Sequence, residues 1–119
     1  MVIWFNNEKA RNQLRFNGKV ITCRIRRKQF GITHAIYTND QGSRVILGTV
    51  DVQFKEDTID ILEPLSPYRT HKEAFKDYLK DSGFDTIKDW EEKVLSLNSK
   101  GKIPSYLIFL EVTLKDLFY

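Results

Sequence analysis

Residues 105–112, Ser-Tyr-Leu-Ile-Phe-Leu-Glu-Val, constrain this fold more than any other stretch of the chain. The alternation of a half-buried strand is missing. Leu107 and Phe109 fall on one face, and Ile108 and Leu110 on the other. A strand that is apolar on both faces must be covered on both, which makes it central in its sheet. It also comes last, so the chain must travel elsewhere and return to complete the sheet.

Earlier segments supply the rest. Residues 2–5, Val-Ile-Trp-Phe, form a short apolar strand or staple. A helix capped by Asn6 or Asn7 follows to Phe16, with Ala10 and Leu14 on one face and Asn17-Gly18 as its stop. Residues 19–26 read as a strand whose core face carries Ile21, Cys23 and Ile25. Val20, Thr22, Arg24 and Arg26 take the opposite face. Lys19 has the wrong parity for that second set and is expected to reach it from the strand's entry. A strand is predicted around residues 36–38, then a hairpin loop at Asn39-Asp40-Gln41-Gly42. A clear strand follows over residues 44–54, with a bulge or sharp bend at Gly48. Residues 58–62 continue the sheet after a kink at 55–57. Pro64 and Pro67 end the strands, and two helices follow. The first, residues 71–80, stacks Ala74, Phe75, Tyr78 and Leu79 on one stripe. The second, about residues 86–98, does so with Ile87, Trp90, Val94 and Leu97, and is capped by Asp85 or Thr86. This order predicts one α+β domain over residues 1–119: a small mixed β-barrel of about five or six strands, with two to three helices packed over its openings.

Charge is divided unevenly along the chain. Residues 1–49 carry nine Lys and Arg against two acids, a net of +7, whereas residues 50–119 carry ten against fourteen, a net of −4. Five cations fall in residues 19–28: Lys19, Arg24, Arg26, Arg27 and Lys28. Such a half attracts phosphate while the acidic half maintains solubility. With Arg11 and Arg15 from the first helix, these arginines offer the planar, fixed donors that suit phosphate oxygens. Tyr37 and Phe30 are the stacking candidates near them; Trp4 and Trp90 read as core or staple residues.

Three places resemble the ASCH domains, small barrels similar to the PUA RNA-binding fold. The run Gly18-Lys19-x-x-Thr22-x-Arg24 is similar to the family's signature strand. Ser82-Gly83-Phe84-Asp85-Thr86 resembles its entry to an amphipathic helix. The closing strand at residues 106–112 resembles its last strand. Phe30-Gly31-Ile32 stands where members often carry a Gly-Asp pair. In the ASCH domains that are enzymes, the resemblance implies hydrolysis of acetylated cytidine by a Lys, a Thr and a Glu. Lys19 and Thr22 match the first two. Ser82 occupies the place expected of the acid, with Asp81 one position earlier. A desolvated Lys can take the proton from a Thr hydroxyl, and a carboxylate can orient that Lys or deliver a proton to the leaving amine.

Three functions are therefore weighed. The first is an RNA-binding module whose cleft is lined by Lys19, Thr22, Arg24, Arg26, Arg27, Lys28, Arg11 and Arg15, taking single-stranded or structured RNA. The second is an amidohydrolase acting on a modified nucleoside through Lys19, Thr22 and Asp81. The third is a protein-interaction module using the acidic helices. The cation-rich strand favours the first. Neither a cofactor nor a metal is expected, since Cys23 is the sole cysteine and His34 and His71 lack ligand spacing. No apolar run reaches the ~20 residues of a membrane span, and a charged-then-apolar leader is missing at the N-terminus. A cytoplasmic monomer is the expectation. The apolar end at residues 114–119 is expected to pack on the domain or on a second copy.

Overall fold

The computed structural model describes residues 2–25, 30–60, 67–96 and 105–118. Arg26, Arg27 and Lys28 lie outside the described residues, as do the ends expected at residues 61–62 and 97–98. The elements run β1 (Val2–Trp4), α1 (Glu8–Asn17), β2 (Lys19–Arg24), β3 (Gly31–Thr38), β4 (Arg44–Ile59), β5 (Arg69–Thr70), α2 (His71–Tyr78), a 3-10 turn (Leu79–Asp81), α3 (Ile87–Ser96) and β6 (Tyr106–Leu117). The chain is α+β. Its six strands make one mixed sheet in the order β1-β3-β4-β6-β2, with β5 appended in parallel to β4.

β6 lies between β4 and β2, as its two apolar faces require. It also continues to Leu117, five residues beyond Val112, where the expected strand ended. The C-terminal end is tied to the sheet through its backbone, with Leu117 paired to Gly48 and the Phe118 N–H donating to Leu47 O at 3.0 Å, while the Leu117 and Phe118 side chains stay exposed. The expected barrel is not closed by a ladder among the described strands. The path is open, with β1 and β2 at its two ends.

β4 spans sixteen residues as one strand, and the kink expected at 55–57 is present as a register shift between Phe54 and Glu56. Fully extended it would run about 50 Å, more than the 47 Å long axis of the molecule. It shifts register against β6 at Thr49/Val50 and again at Phe54/Glu56, and a third irregularity interrupts β3 at Ala35/Ile36. Such bulges bend a strand and increase its twist. Gly48 is placed among them because a Cβ there would sit 2.1 Å from the Asp116 carbonyl oxygen of β6. No side chain fits that approach.

Curling gives the sheet two cores. The concave face collects Ile3, Phe5, Val20, Val50, Leu110 and Val112, with Ala10 and Leu14 of α1 set against them. The convex face of β2 and β6 presents Ile21, Cys23, Leu107 and Phe109 to Ala74, Phe75, Trp90 and Val94 of the later helices. Two expectations change. Val20 and Thr22 are buried, not on an open face, while Ile25 is exposed. And α2 and α3 cover a sheet face, with their aromatic side chains, in place of a barrel opening.

Local chemistry fixes the helices. Asn7 Oδ1 accepts from the Ala10 N–H at 3.0 Å, and the Gly18 N–H donates to Leu14 O at 2.9 Å, opening and closing α1 as its sequence implies. Thr86 Oγ1 accepts from the Asp89 N–H at 3.1 Å ahead of α3. Between α2 and α3, Gly83 has φ 87°, and a Cβ on it would lie 2.3 Å from Lys9 O. The Ser-Gly-Phe turn thus docks on the backbone of α1 and carries Phe84 onto Trp90.

A polar cluster ties the β4 bulge to α2. Arg69 donates to both Glu56 carboxylate oxygens at 2.8 Å and also to Asp77, while the Tyr78 hydroxyl donates to Glu56 at 2.6 Å. The Arg69 guanidinium holds the Glu56 carboxyl below its ordinary range, and burial raises the Tyr78 phenol. Because Glu56 ionises more readily folded than unfolded, its contribution is complete above the unfolded value and is lost as pH falls through the lower folded one. Melting temperature is expected to drop as pH falls below the ordinary glutamate value of about 4.3, and Glu56→Gln is expected to flatten that drop. An equally steep loss in the variant would place the acid sensitivity elsewhere.

Candidate functional site

The open seam between β1 and β2 holds a cavity of about 170 Å³. Its walls come from both sheet edges and from α3: Trp4, Phe5, Thr22, Arg24, Trp90 and Lys93. Asn6 and Asn7, in the bend between β1 and α1, complete the rim. Trp90 is 3% exposed and belongs to the convex core, whereas Trp4 is 36% exposed. A single, partly exposed Trp on a short edge strand therefore forms the accessible aromatic wall.

Arginine bridges the seam where backbone pairing does not. Arg24 Nη2 donates to Trp4 O at 2.8 Å and its Nε to Thr22 Oγ1 at 3.3 Å; the guanidinium also lies 5.3 Å from the centre of the Phe5 ring. Arg11 Nη1 donates to Phe5 O at 3.2 Å and stacks 4.2 Å from the centre of Tyr37. Arg15 approaches the same ring at 5.9 Å, and its Nε is buried without a hydrogen-bond partner among the described residues. Arg44, at the start of β4, lies 5.4 Å from the centre of the Trp4 ring. Arg11, Arg24 and Arg44 thus each contact Trp4 or Phe5, and Arg15 joins Arg11 at Tyr37.

Three other described cations are ion-paired. Lys9 pairs with Asp85 and Asp89, Lys19 with Glu111 and Arg69 with Glu56 and Asp77. Among the described residues, no carboxylate pairs with Arg11, Arg15 or Arg44, and none lines the seam cavity. Arg24 and Lys93 are the cations in the cavity wall, and cations beside aromatic rings with no carboxylate in the lining attract a flat, electron-rich or anionic ligand.

The residues singled out from sequence divide between two sides of β2. Thr22 and Arg24 reach the seam. Lys19 does not; its Nζ lies 3.5 Å from Glu111 Oε1, across the strand on the convex side. Lys19 and Thr22 are an odd number of positions apart on a regular strand, so alternation sets them on opposite faces. Asp81 ends the 3-10 turn after α2. No hydrogen bond or ion pair joins Lys19, Thr22 and Asp81 to one another among the described residues. Arg11 and Arg15 are together at Tyr37. Phe30 packs edge-on against Phe54, 6.4 Å between ring centres.

Sequence reasoning missed Trp4, Arg44, Asn6, Asn7 and Lys93. Trp4 carried a signal: it alternates with the buried Ile3 and Phe5, and period two puts it on the other face. Arg44 and Lys93 carried none, because only the tertiary fold brings them near β1. Cys23 also touches the cavity, and burial pushes its thiol far above the ordinary range, which keeps it protonated and inert. Among the described residues, no group of three or more His, Cys, Asp or Glu could hold a metal ion, and no helix is long and apolar enough to cross a membrane. No protein-family model, curated protein or solved structure matches the chain.

Proposed function

We propose that this chain is a single-stranded RNA-binding module in which the β1–β2 seam receives one base and the surrounding arginines hold the neighbouring phosphates. The observation that carries this reading is the seam cavity itself, walled by the partly exposed Trp4, Arg24 and Lys93 with no carboxylate in its lining, and flanked by Arg44 over Trp4 and by Arg11 and Arg15 at Tyr37. Stacking on an aromatic ring and cation contacts to the backbone are the two general elements of single-strand recognition. Arg26, Arg27 and Lys28 follow directly after β2 in sequence and add three charges to the same half of the chain. In this reading the curled sheet is a small barrel similar to the ASCH and PUA domains, with the seam as its line of closure. The protein acts in the cytoplasm as a monomer.

The amidohydrolase alternative needs Lys19 within reach of the Thr22 hydroxyl. Lys19 is instead paired with Glu111 on the other face, and the Thr22 oxygen accepts from Arg24. Binding asks for no such rearrangement, and it is the reading adopted.

The test is affinity for a labelled eight-nucleotide single strand as a function of salt. Four phosphate contacts give a slope of about −3 in log K against log salt, so raising salt from about 50 to about 200 mM weakens binding roughly 50-fold. The same sequence as a duplex binds more weakly, because its bases stay stacked and paired. Absence of binding at low salt, or affinity indifferent to salt, would contradict the proposal.

A further inference from the structure

We infer that the seam selects uracil over the other bases, an inference that rests on reading the seam as an RNA site. The two backbone carbonyls of the β1 end each already accept one hydrogen bond, Trp4 O from Arg24 and Phe5 O from Arg11, which leaves one lone pair on each. Asn6 uses its side-chain oxygen to accept from the Thr38 N–H at 2.8 Å. Asn7 uses its own to cap α1. Each therefore presents its amide NH2, which carries two donors and no acceptor. Thr22 accepts from the Arg24 Nε, leaving its hydroxyl proton to be donated. Lys93 adds an ammonium group, and the cavity wall contains no carboxylate.

The site is therefore rich in donors and poor in acceptors. Its occupant must present acceptors, and a group that presents an exocyclic NH2 sets donor against donor and leaves a buried donor unpaired. Adenine, cytosine and guanine all carry such an NH2. Uracil carries none and shows carbonyl oxygens at both C2 and C4; its one ring donor, N3–H, needs a single acceptor, which the second lone pair of Trp4 O or Thr22 Oγ1 supplies. The accessible aromatic wall, Trp4, favours a flat ring over a bare anion.

Equilibrium binding of labelled octamers of uridine, adenosine and cytidine at low salt tests this. Octauridylate is expected to bind at least about tenfold more tightly than the other two, the effect of one to two well-formed hydrogen bonds. Equal affinity for all three would overturn the uracil preference while leaving RNA binding intact. Failure of all three to bind would overturn the proposed function itself. Asn7→Asp provides the sharper variant: its carboxylate still accepts from the Ala10 N–H and suits the start of α1, but it replaces the NH2 donors with an acceptor. The melting temperature should hold while the preference for octauridylate collapses. Asn6→Asp, which keeps the oxygen for Thr38, is expected to act likewise. A preference unchanged in both variants would contradict the inference. So would displacement of octauridylate by inorganic phosphate as readily as by free uridine, which would assign the cavity to an anion alone.

Discussion

Phe75→Ala will destabilise the domain by about 3–5 kcal/mol, the range for removing a large aromatic side chain from a packed interior. Phe75 is 0% exposed and stands at the centre of the convex core. Its ring meets Trp90 at 4.8 Å and Phe109 at 5.4 Å, both nearly edge-on, the geometry in which the positive rim of one ring faces the negative face of the next. Trp90 in turn stacks on Phe84 and meets Phe109 at 5.8 Å. Removing Phe75 therefore opens a void shared by α2, α3 and β6, which surrounding side chains fill only in part. A domain of this size has about 5–15 kcal/mol of stability in total, so the variant loses a large share of it. Urea unfolding followed by far-ultraviolet circular dichroism reads the change. Phe75→Leu, which retains most of the volume, should lose markedly less. An alanine cost below about 1 kcal/mol would mean that α2 does not pack on the sheet as described.

Trp4→Ala will weaken single-stranded RNA binding by about 1–3 kcal/mol, or roughly 5- to 150-fold, the cost of losing one aromatic stacking platform. The effect on folding is smaller. Trp4 lies on a three-residue edge strand with a third of its surface exposed, and its backbone carbonyl still receives Arg24. Trp4→Phe keeps a stacking ring and should recover most of the affinity. Loss of binding in both variants to the same degree would point to collapse of the β1 end instead of loss of stacking. Anisotropy titrations of the three proteins, each with its melting temperature measured, separate these outcomes.

Much of the fold was legible in the sequence, for reasons visible at particular residues. Residues 105–112, apolar on both faces, announced a central strand, and β6 is one. Asn7, Gly18 and Thr86 end helices through side-chain or backbone bonds that depend on the nearest few residues, so they could be read locally. Gly48 was legible as a bend because an isolated glycine in a strand marks close backbone approach. What stayed hidden is set by non-local geometry. The kink expected at residues 55–57 is a bulge inside one continuous strand, a form that depends on pairing with β6. The second core depends on which sheet face α2 and α3 reach, and amphipathic stripes identify a buried face without naming what buries it.

The site was half legible. Thr22 and Arg24 could be found because strand alternation placed them together. The same alternation excluded Lys19 from their face, and its ion pair with Glu111 follows from a neighbouring strand ninety residues later in the chain. Arg44 and Trp4 come together through two ladders, β1 on β3 and β3 on β4. No spacing rule along the sequence records that meeting.

The central claim is that RNA enters the seam between β1 and β2. Titration of the isotopically labelled protein with octauridylate at low salt, followed through its amide and indole resonances, tests it most directly. The account predicts that Trp4, Asn6, Thr22 and Arg24 shift together with one affinity, while residues around Arg69 and Asp77 on α2 stay unmoved. Shifts confined to the α2 surface, or no shifts at all at low salt, would contradict it.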